Sequence, residues 1–448
     1  MKMPRYRPYA EYKDSGVEWL GEIPARWGVK RLRFVSESNP LPSEVRGLPG
    51  TTEVSFVPME AVGERGGLSL ETTKLLADVK AGYTYFRDAD VVIAKITPCF
   101  ENGKGALAAG LTNGIAFGTT ELHVLRASRN LDNEFAFYVT LSDGFRRIGE
   151  ADMYGAGGQK RISESFVRNF RLALPSLDEQ RAIATFLDRE TARIDELVAK
   201  KERLVTLLQE RRTALITRAV TKGLDLAAPM KDSAVEWLGE IPAHWEVKRL
   251  KLLLESPLKY GANEPAELDD PELPRYIRIT DIDENDRLRD ETFKSLPTDV
   301  AGPYLLREGD VLFARSGATA GKSFLYRTSW GTCAYAGYLI RARLRMNEVS
   351  PYYLRYFTAS TCYWNWLSAT FIQATIQNVS ADKYANLVVP QPPMDEQRSL
   401  TSFLDRNSTE INALIARIRD AITHLNELRT ALISAAVTGK IDVREATQ

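Results

Sequence analysis

The sequence predicts an α+β protein: two tandem mixed α/β domains separated by two long antiparallel coiled-coil helices, a pseudo-two-fold symmetric internal duplication. Three observations carry this. Asp178-Glu179-Gln180-Arg181 returns as Asp395-Glu396-Gln397-Arg398, and Phe186-Leu187-Asp188-Arg189 returns as Phe403-Leu404-Asp405-Arg406, in both cases 217 residues later. The segment Asp14–Leu32, rich in Trp and Pro, returns as Asp232–Leu250 with 16 of 19 positions identical. Apolar residues inside the repeated stretches recur in steps of three and four, the period of a coiled-coil seam.

In chain order, the first domain spans 1–175 and the first spacer helix 176–223. The second domain spans 224–391, and the second spacer helix with its tail 392–448. Trp19, Pro24 and Trp27 open one half and Trp237, Pro242 and Trp245 the other, aromatics best placed in packing. The regions 33–175 and 251–391 hold short β-rich runs broken by Gly and Pro, such as 90–95 and 310–315. Short helices are expected at Asn133–Leu141 and Ser350–Ala359, the latter with Ser350 as cap and Pro351 first. Tyr352, Tyr353, Tyr356 and Phe357 then share helical spacing and are expected in the core. Unlike the helices, these regions have diverged strongly between the halves.

The first spacer helix starts after Pro175, with Ser176 and Glu179 forming a capping box; in the second, Pro393 stands in place of that Ser and Asp395 is the expected cap. Both end near a Gly, Gly223 or Gly439. The first seam runs through Ile183, Leu187, Glu190, Ile194, Leu197, Lys201, Leu204, Leu208, Arg211 and Leu215, seven of ten apolar. The second runs through Leu400, Leu404, Asn407, Ile411, Leu414, Ile418, Ala421, Leu425, Leu428 and Leu432, nine of ten apolar. A helix of ~40 residues is ~60 Å long and cannot bury such a stripe alone. The partner that needs no second chain is the other copy, and the charged seam positions could instead face a partner subunit.

Composition excludes several classes. With 44% hydrophobic and 26% charged residues the chain is an ordinary globular protein, and 448 residues suggest more than one core. No apolar run approaches the ~20 residues of a membrane span, and the N-terminus lacks the features of a signal peptide. Cys99, Cys333 and Cys362 are scattered, without disulfide or zinc spacing, as suits a reducing cytoplasm. The three histidines, His123, His244 and His424, lie far apart and suggest no metal site. Lys+Arg and Asp+Glu balance at 59 each, so any basic surface must be local.

Catalytic motifs fail on inspection. Gly317-Ala-Thr-Ala-Gly-Lys322-Ser323 is one residue short of a phosphate loop, and Phe324-Leu-Tyr-Arg after it reads as strand. Ser38-Asn39-Pro40-Leu41-Pro42 lacks the second Pro and aromatic residue of a methyltransferase tetrapeptide. No GxGxxG follows a strand. The expectation is a non-catalytic chain that binds no metal or cofactor.

Two domains of one architecture but different surface, joined by a rigid spacer, suit a ligand with one-dimensional spacing, and double-stranded DNA is the obvious one. Candidate contacts are Gln159, Lys160 and Arg161 in the Gly-rich stretch from Gly155. Gln373, Gln377 and Asn378 stand in the corresponding stretch of the second half. Lys95 and Arg315 stand at equivalent strand ends, before turns holding Lys104 and Lys322. Lys and Arg suit phosphate, and Gln and Asn suit base edges. Arg341, Arg343 and Arg345 alternate on one strand face, a positive stripe or a set of partners for acids such as Glu348.

The DSGVEWLGEIP-x-x-W-x-VKRL segments, the LPSLDEQRAIATFLD helix start, AKITPCFENGKGALA (94–108) and FGTTELHVLR (117–126) resemble the DNA specificity subunit of type I restriction-modification enzymes over essentially the whole chain. That resemblance implies two target recognition domains reading a split site, with helices that set the unread spacer. It also implies two docked methyltransferase subunits and restriction (translocase/nuclease) subunits. S-adenosylmethionine, ATP and Mg would belong to those partners, in the cytoplasm and with no membrane. The alternative is a coiled-coil tethering scaffold that binds no DNA.

Overall fold

The computed structural model describes residues 6–156, 158–283, 287–372 and 378–444. Contacts divide the chain into two compact units: Met1–Lys201 with Arg419–Gln448, and Glu202–Ile418. These units divide each long helix near its middle.

The first unit holds a four-stranded antiparallel sheet in the order Ser36–Ser38, Leu122–Ala127, Val91–Ala94, Gly105–Leu107. Val91–Ala94 is buried along its whole length, as its continuous apolar run requires of a central strand. A second sheet has the order Thr73–Leu75, Glu53–Val57, Ile115–Gly118, Thr84–Arg87, with the central pair parallel. The second unit repeats the first of these sheets: Leu254–Tyr260, Leu339–Leu344, Val311–Ala314, Ser323–Leu325, again antiparallel. Its counterpart of the other sheet is a two-stranded parallel pair, Arg275–Ile277 with Cys333–Tyr335. The strand expected after the phosphate-loop lookalike is present at Ser323–Leu325.

One interaction recurs in both units and pins the sheet. Asp90, 1% exposed, accepts from Arg126 Nε at 2.8 Å and Nη2 at 2.7 Å, and from the Arg87 N–H at 2.9 Å. Asp310, also 1% exposed, accepts from Arg343 Nε at 2.8 Å and Nη2 at 2.6 Å, and from the Arg307 N–H at 2.8 Å. A buried carboxylate is tolerable only when so paired and hydrogen-bonded. The arginine stripe is thereby resolved: Arg343 is committed to Asp310, Arg341 is buried, and Arg345 lies 3.4 Å from Glu348. Two of the three arginines therefore face acids, Arg343 inside the fold and Arg345 at the surface.

The two long helices are Leu177–Lys222 and Met394–Val437, 46 and 44 residues. In the first unit Glu179 bonds Tyr9, whose ring packs on Trp27, while Gly439 at the far end of the other helix also abuts Trp27. Further along, Asp195 lies 3.5 Å from Arg429. Within that unit the helix segments therefore run antiparallel. The second unit repeats this: Gly223 faces Glu396, and Arg212 donates to Asn412 Oδ1 at 2.7 Å. Gly223 and Gly439 take φ of +73° and +71°, the left-handed turn that ends a helix at little cost only with Gly.

The capping box is half formed. The Glu179 N–H reaches Ser176 Oγ at 3.4 Å, but the Glu179 side chain accepts from the Tyr9 hydroxyl at 2.9 Å instead of closing the box. Asp395 faces Arg398, and the Gln397 N–H bonds the Pro393 carbonyl. Trp27 and Trp245 are buried, in keeping with packing roles.

The buried stripe departs from the expected seam. In the first helix it follows Leu187, Thr191, Ile194, Val198, Lys201, Val205, Leu208, Arg212, Ile216 and Ala219, all buried or half-buried. In the second it follows Ile411, Ile415, Ile418, Ile422, Leu425, Arg429 and Leu432. Leu187, Ile194, Leu208, Ile411, Ile418, Leu425 and Leu432 lie on it, and Ile183, Leu400 and Leu404 are buried nearer the helix starts; Leu197, Leu204 and Leu414 are 40–44% exposed. From Leu187 to Leu208 and from Ile411 to Leu432, every second expected position is displaced by one residue. Leu197-Val198, Leu204-Val205 and Leu414-Ile415 are adjacent apolar pairs, so a period of 3.5 fits either phase, and burial in the folded chain selects one.

The short helices stand at Asn133–Leu141 and Pro351–Phe357. Tyr353 and Phe357 are buried, Tyr356 is half-buried, and Tyr352 is exposed, so the aromatic set is core only on one side.

Candidate functional site

Each unit carries the same polar corner at the end of its central strand. In the first, the strand delivers Lys95, whose carbonyl accepts from the Ile162 N–H and whose N–H reaches the Glu121 carbonyl at 3.0 Å. Ile96 bridges Arg161, and the Thr97 N–H bonds the Lys160 carbonyl at 2.9 Å. The Gly-rich stretch is thus stitched beside the strand end, with Gly155 at φ +129° where a Cβ would meet the Gln159 carbonyl oxygen at 2.8 Å. Lys95, Gln159, Lys160 and Arg161, far apart in sequence, are brought together.

Their chemical states differ. Arg161 is engaged by Glu121 through Nε and Nη2, both at 2.9 Å, and this bidentate pairing holds the Glu121 carboxyl below the usual carboxylate range. Gln159 and Lys160 point into solvent, and Lys95 is half-exposed. Lys104 donates to the Met59 carbonyl at 2.9 Å, so it anchors its own turn. Beside Lys95 opens a cleft lined by Asn39, Lys80, Tyr83, Thr120, His123 and Glu164. Burial, first of all, lowers the His123 pKa, so at neutral pH it faces the cleft uncharged.

In the second unit the equivalent strand delivers Arg315. The Val379 N–H bonds its carbonyl at 2.8 Å, and Ser316 bridges Asn378, the same backbone arrangement as Ile162 with Lys95 and Ile96 with Arg161. The Arg315 guanidinium lies 4.9 Å from the centre of the Tyr260 ring, and its N–H bonds the carbonyl of the exposed Tyr338. Lys322 is exposed, and its carbonyl accepts from the Ala314 N–H, as that of Lys104 does from Ala94. Gln373 and Gln377 lie outside the described residues.

Sequence reasoning missed Glu121, Tyr260 and Tyr338, because pairing across strands leaves no periodic signal. The Asp90–Arg126 and Asp310–Arg343 pairs do carry one: an Asp directly before an apolar strand in both halves. Among the described residues no His, Cys, Asp and Glu group could hold a metal ion, and no helix is long and apolar enough to cross a membrane.

A family profile described as "Type I restriction modification DNA specificity domain" matches residues 71–206 and 242–424, more than half of the chain. The specificity subunit of the type I restriction enzyme EcoAI of Escherichia coli is 38% identical over 184 residues, 41% of this chain and 30% of that protein. The EcoEI specificity subunit, also of Escherichia coli, is 38% identical over 168 residues, 37% of this chain and 28% of that protein. The match therefore spans under a third of these relatives' length. A chain from a structure of the type I R-M system aligns with TM-score 0.72 at 19% identity, covering 94% of this chain and 99% of that one. The HsdS subunit from Thermoanaerobacter tengcongensis aligns with TM-score 0.50 at 18% identity, covering 94% and 98%; these two likenesses speak for the fold. With the profile covering most of both halves, this chain belongs to the type I restriction modification DNA specificity domain family.

Proposed function

We propose that this chain is the sequence-reading subunit of a type I restriction-modification enzyme. Each unit reads one half of a split double-stranded DNA site, and the two long helices form an antiparallel coiled coil that sets the unread spacer. The observation that carries this reading is the duplicated corner: one backbone arrangement presents Lys95, Gln159 and Lys160 in one unit, and Arg315, Asn378 and Lys322 in the other. A common frame with different side chains is what reading two different half-sites requires, since base edges are discriminated by side-chain donors and acceptors.

In this reading the chain does no chemistry. Two methyltransferase subunits dock on it with S-adenosylmethionine, restriction subunits using ATP and Mg join them, and the assembly works in the cytoplasm. The test is to map the bases methylated in genomic DNA by the chain assembled with its neighbouring methyltransferase subunit and S-adenosylmethionine. The expected outcome is a two-part motif with an unread spacer. An assembled, folded complex that methylates no such motif would return the chain to a tethering scaffold.

A further inference from the structure

The internal duplication allows one unit to be compared with the other, and one groove differs in a consistent direction. In the second unit a groove of about 180 Å³ is lined by Arg212, Arg327, Tyr352, Arg355, Asp405 and Asn412, among others. The Tyr356 hydroxyl, bonded to Asp405 at 2.6 Å, corresponds to that of Tyr138, bonded to Asp188 at 2.6 Å, which fixes the equivalence of the two places. The 217-residue shift places Arg212 opposite Arg429, and Asn412 opposite Asp195. Strand register places Arg327 opposite Ala109, because Leu325 and Leu107 pair with Val311 and Val91 in turn. The helix that carries Tyr138 or Tyr356 sets Tyr352 against Glu134 and Arg355 against Phe137.

All four differences make the second groove more positive. A carboxylate becomes an amide at Asn412, another becomes a phenol at Tyr352, and two uncharged residues become Arg327 and Arg355. In the first unit Arg429 has a carboxylate partner: Asp195 lies 3.5 Å away, Arg65 lies 3.9 Å from the same Asp195, and Arg429 Nη2 donates to the Arg65 carbonyl. In the second, Arg212 donates to the neutral Oδ1 of Asn412 at 2.7 Å and has no carboxylate partner among the described residues. Arg327 is exposed, near the Tyr352 ring at 5.9 Å. Arg355 is engaged by other partners, so Arg212 and Arg327 are the principal donors. The one lining carboxylate, Asp405, is held by the Tyr356 hydroxyl.

We propose that this groove of the second unit is a binding site for a phosphate group, a site the first unit has closed with Asp195. Guanidinium groups match phosphate oxygens with paired N–H donors. The groove is smaller than the ~300–1,000 Å³ of a drug-sized ligand pocket, so it takes the phosphate group and leaves the rest of a larger ligand outside. That phosphate is either a free ion or part of a DNA backbone. The assignment stands apart from the base-reading corners, whose residues it does not use.

The decisive substitution is Asn412→Asp, which restores the arrangement of the first unit and adds a partner for Arg212, so folding is not at risk. Inorganic phosphate is titrated calorimetrically into the full chain, its Asn412→Asp variant and an Arg327→Gln variant. In parallel, binding of a duplex of arbitrary sequence is measured against salt concentration. If the source is free phosphate, each variant lowers phosphate affinity about tenfold or more, a charge-assisted hydrogen bond's worth, with the DNA salt slope unchanged. If it is the DNA backbone, Asn412→Asp lowers the slope of log K against log salt by about 0.9, one phosphate contact. Folded variants that change neither the phosphate affinity nor the DNA slope overturn the proposal.

Discussion

The phase of the helix seam offers the sharpest test, through the adjacent pair Leu414 and Ile415. The periodicity alone assigns Leu414 to the interface, whereas the structure buries Ile415 to 6% exposure and leaves Leu414 44% exposed. Removing a buried Ile side chain down to Ala costs ~2–5 kcal/mol, the transfer free energy of the lost methyl groups plus the cavity left behind. Truncating the exposed Leu stays within ~0.5 kcal/mol. At ~2–4 °C per kcal/mol for a unit of this size, Ile415→Ala should lower the melting temperature of the second unit by ~4–20 °C. Leu414→Ala should move it by no more than ~2 °C. Thermal unfolding followed by circular dichroism reads both variants, and Val198→Ala against Leu197→Ala repeats the comparison in the first unit. A loss in Leu414→Ala as large as in Ile415→Ala would return the seam to the phase inferred from periodicity and refute the packing described.

Asp310→Asn should cost ~3–5 kcal/mol by leaving Arg343 buried without its carboxylate, while Arg345→Ala, at an exposed pair, should stay below ~1 kcal/mol; urea denaturation checks both. Lys160→Ala should weaken DNA binding uniformly across sequences and reduce the salt slope by ~0.9 if it touches a phosphate, and an unchanged slope refutes that contact. Because Arg161 lowers the pKa of Glu121 in the folded chain, the stabilisation from this pair is present above the unfolded carboxylate value of ~4.3. It is lost as pH falls through the depressed folded value. Glu121→Gln should therefore flatten the acid limb of the stability profile, and an identical limb in wild type and variant would contradict the pairing. Inserting four helical residues into one spacer helix adds ~6 Å of rise, close to two base pairs at ~3.4 Å each. The spacer of the methylated motif should then lengthen with both half-sites unchanged; an unchanged spacer in a folded variant removes the ruler role.

By itself the sequence determined the duplication, the long helices, the central apolar strands at 91–94 and 311–314, and the family. Each rests on a local or repeated pattern that one-dimensional order preserves. It also brought forward Lys95 and Arg315 as equivalent strand ends, and that equivalence reappears in the backbone bonds from Ile162 and Val379. Tertiary structure alone decided which of two adjacent apolar residues is buried, because Leu414 and Ile415 satisfy the heptad equally well. It alone decided that Arg161 is held by Glu121, Lys104 by a carbonyl and Arg343 by Asp310, whereas Lys160 and Lys322 are left exposed. The character of a basic side chain depends on the carboxylate or carbonyl that folding brings within about 3 Å of it, and that proximity is a property of strand register and helix packing rather than of order along the chain. The same reason hides the difference between Asp195 and Asn412: one atom type in the sequence, and a closed or an open arginine groove once the helices have packed.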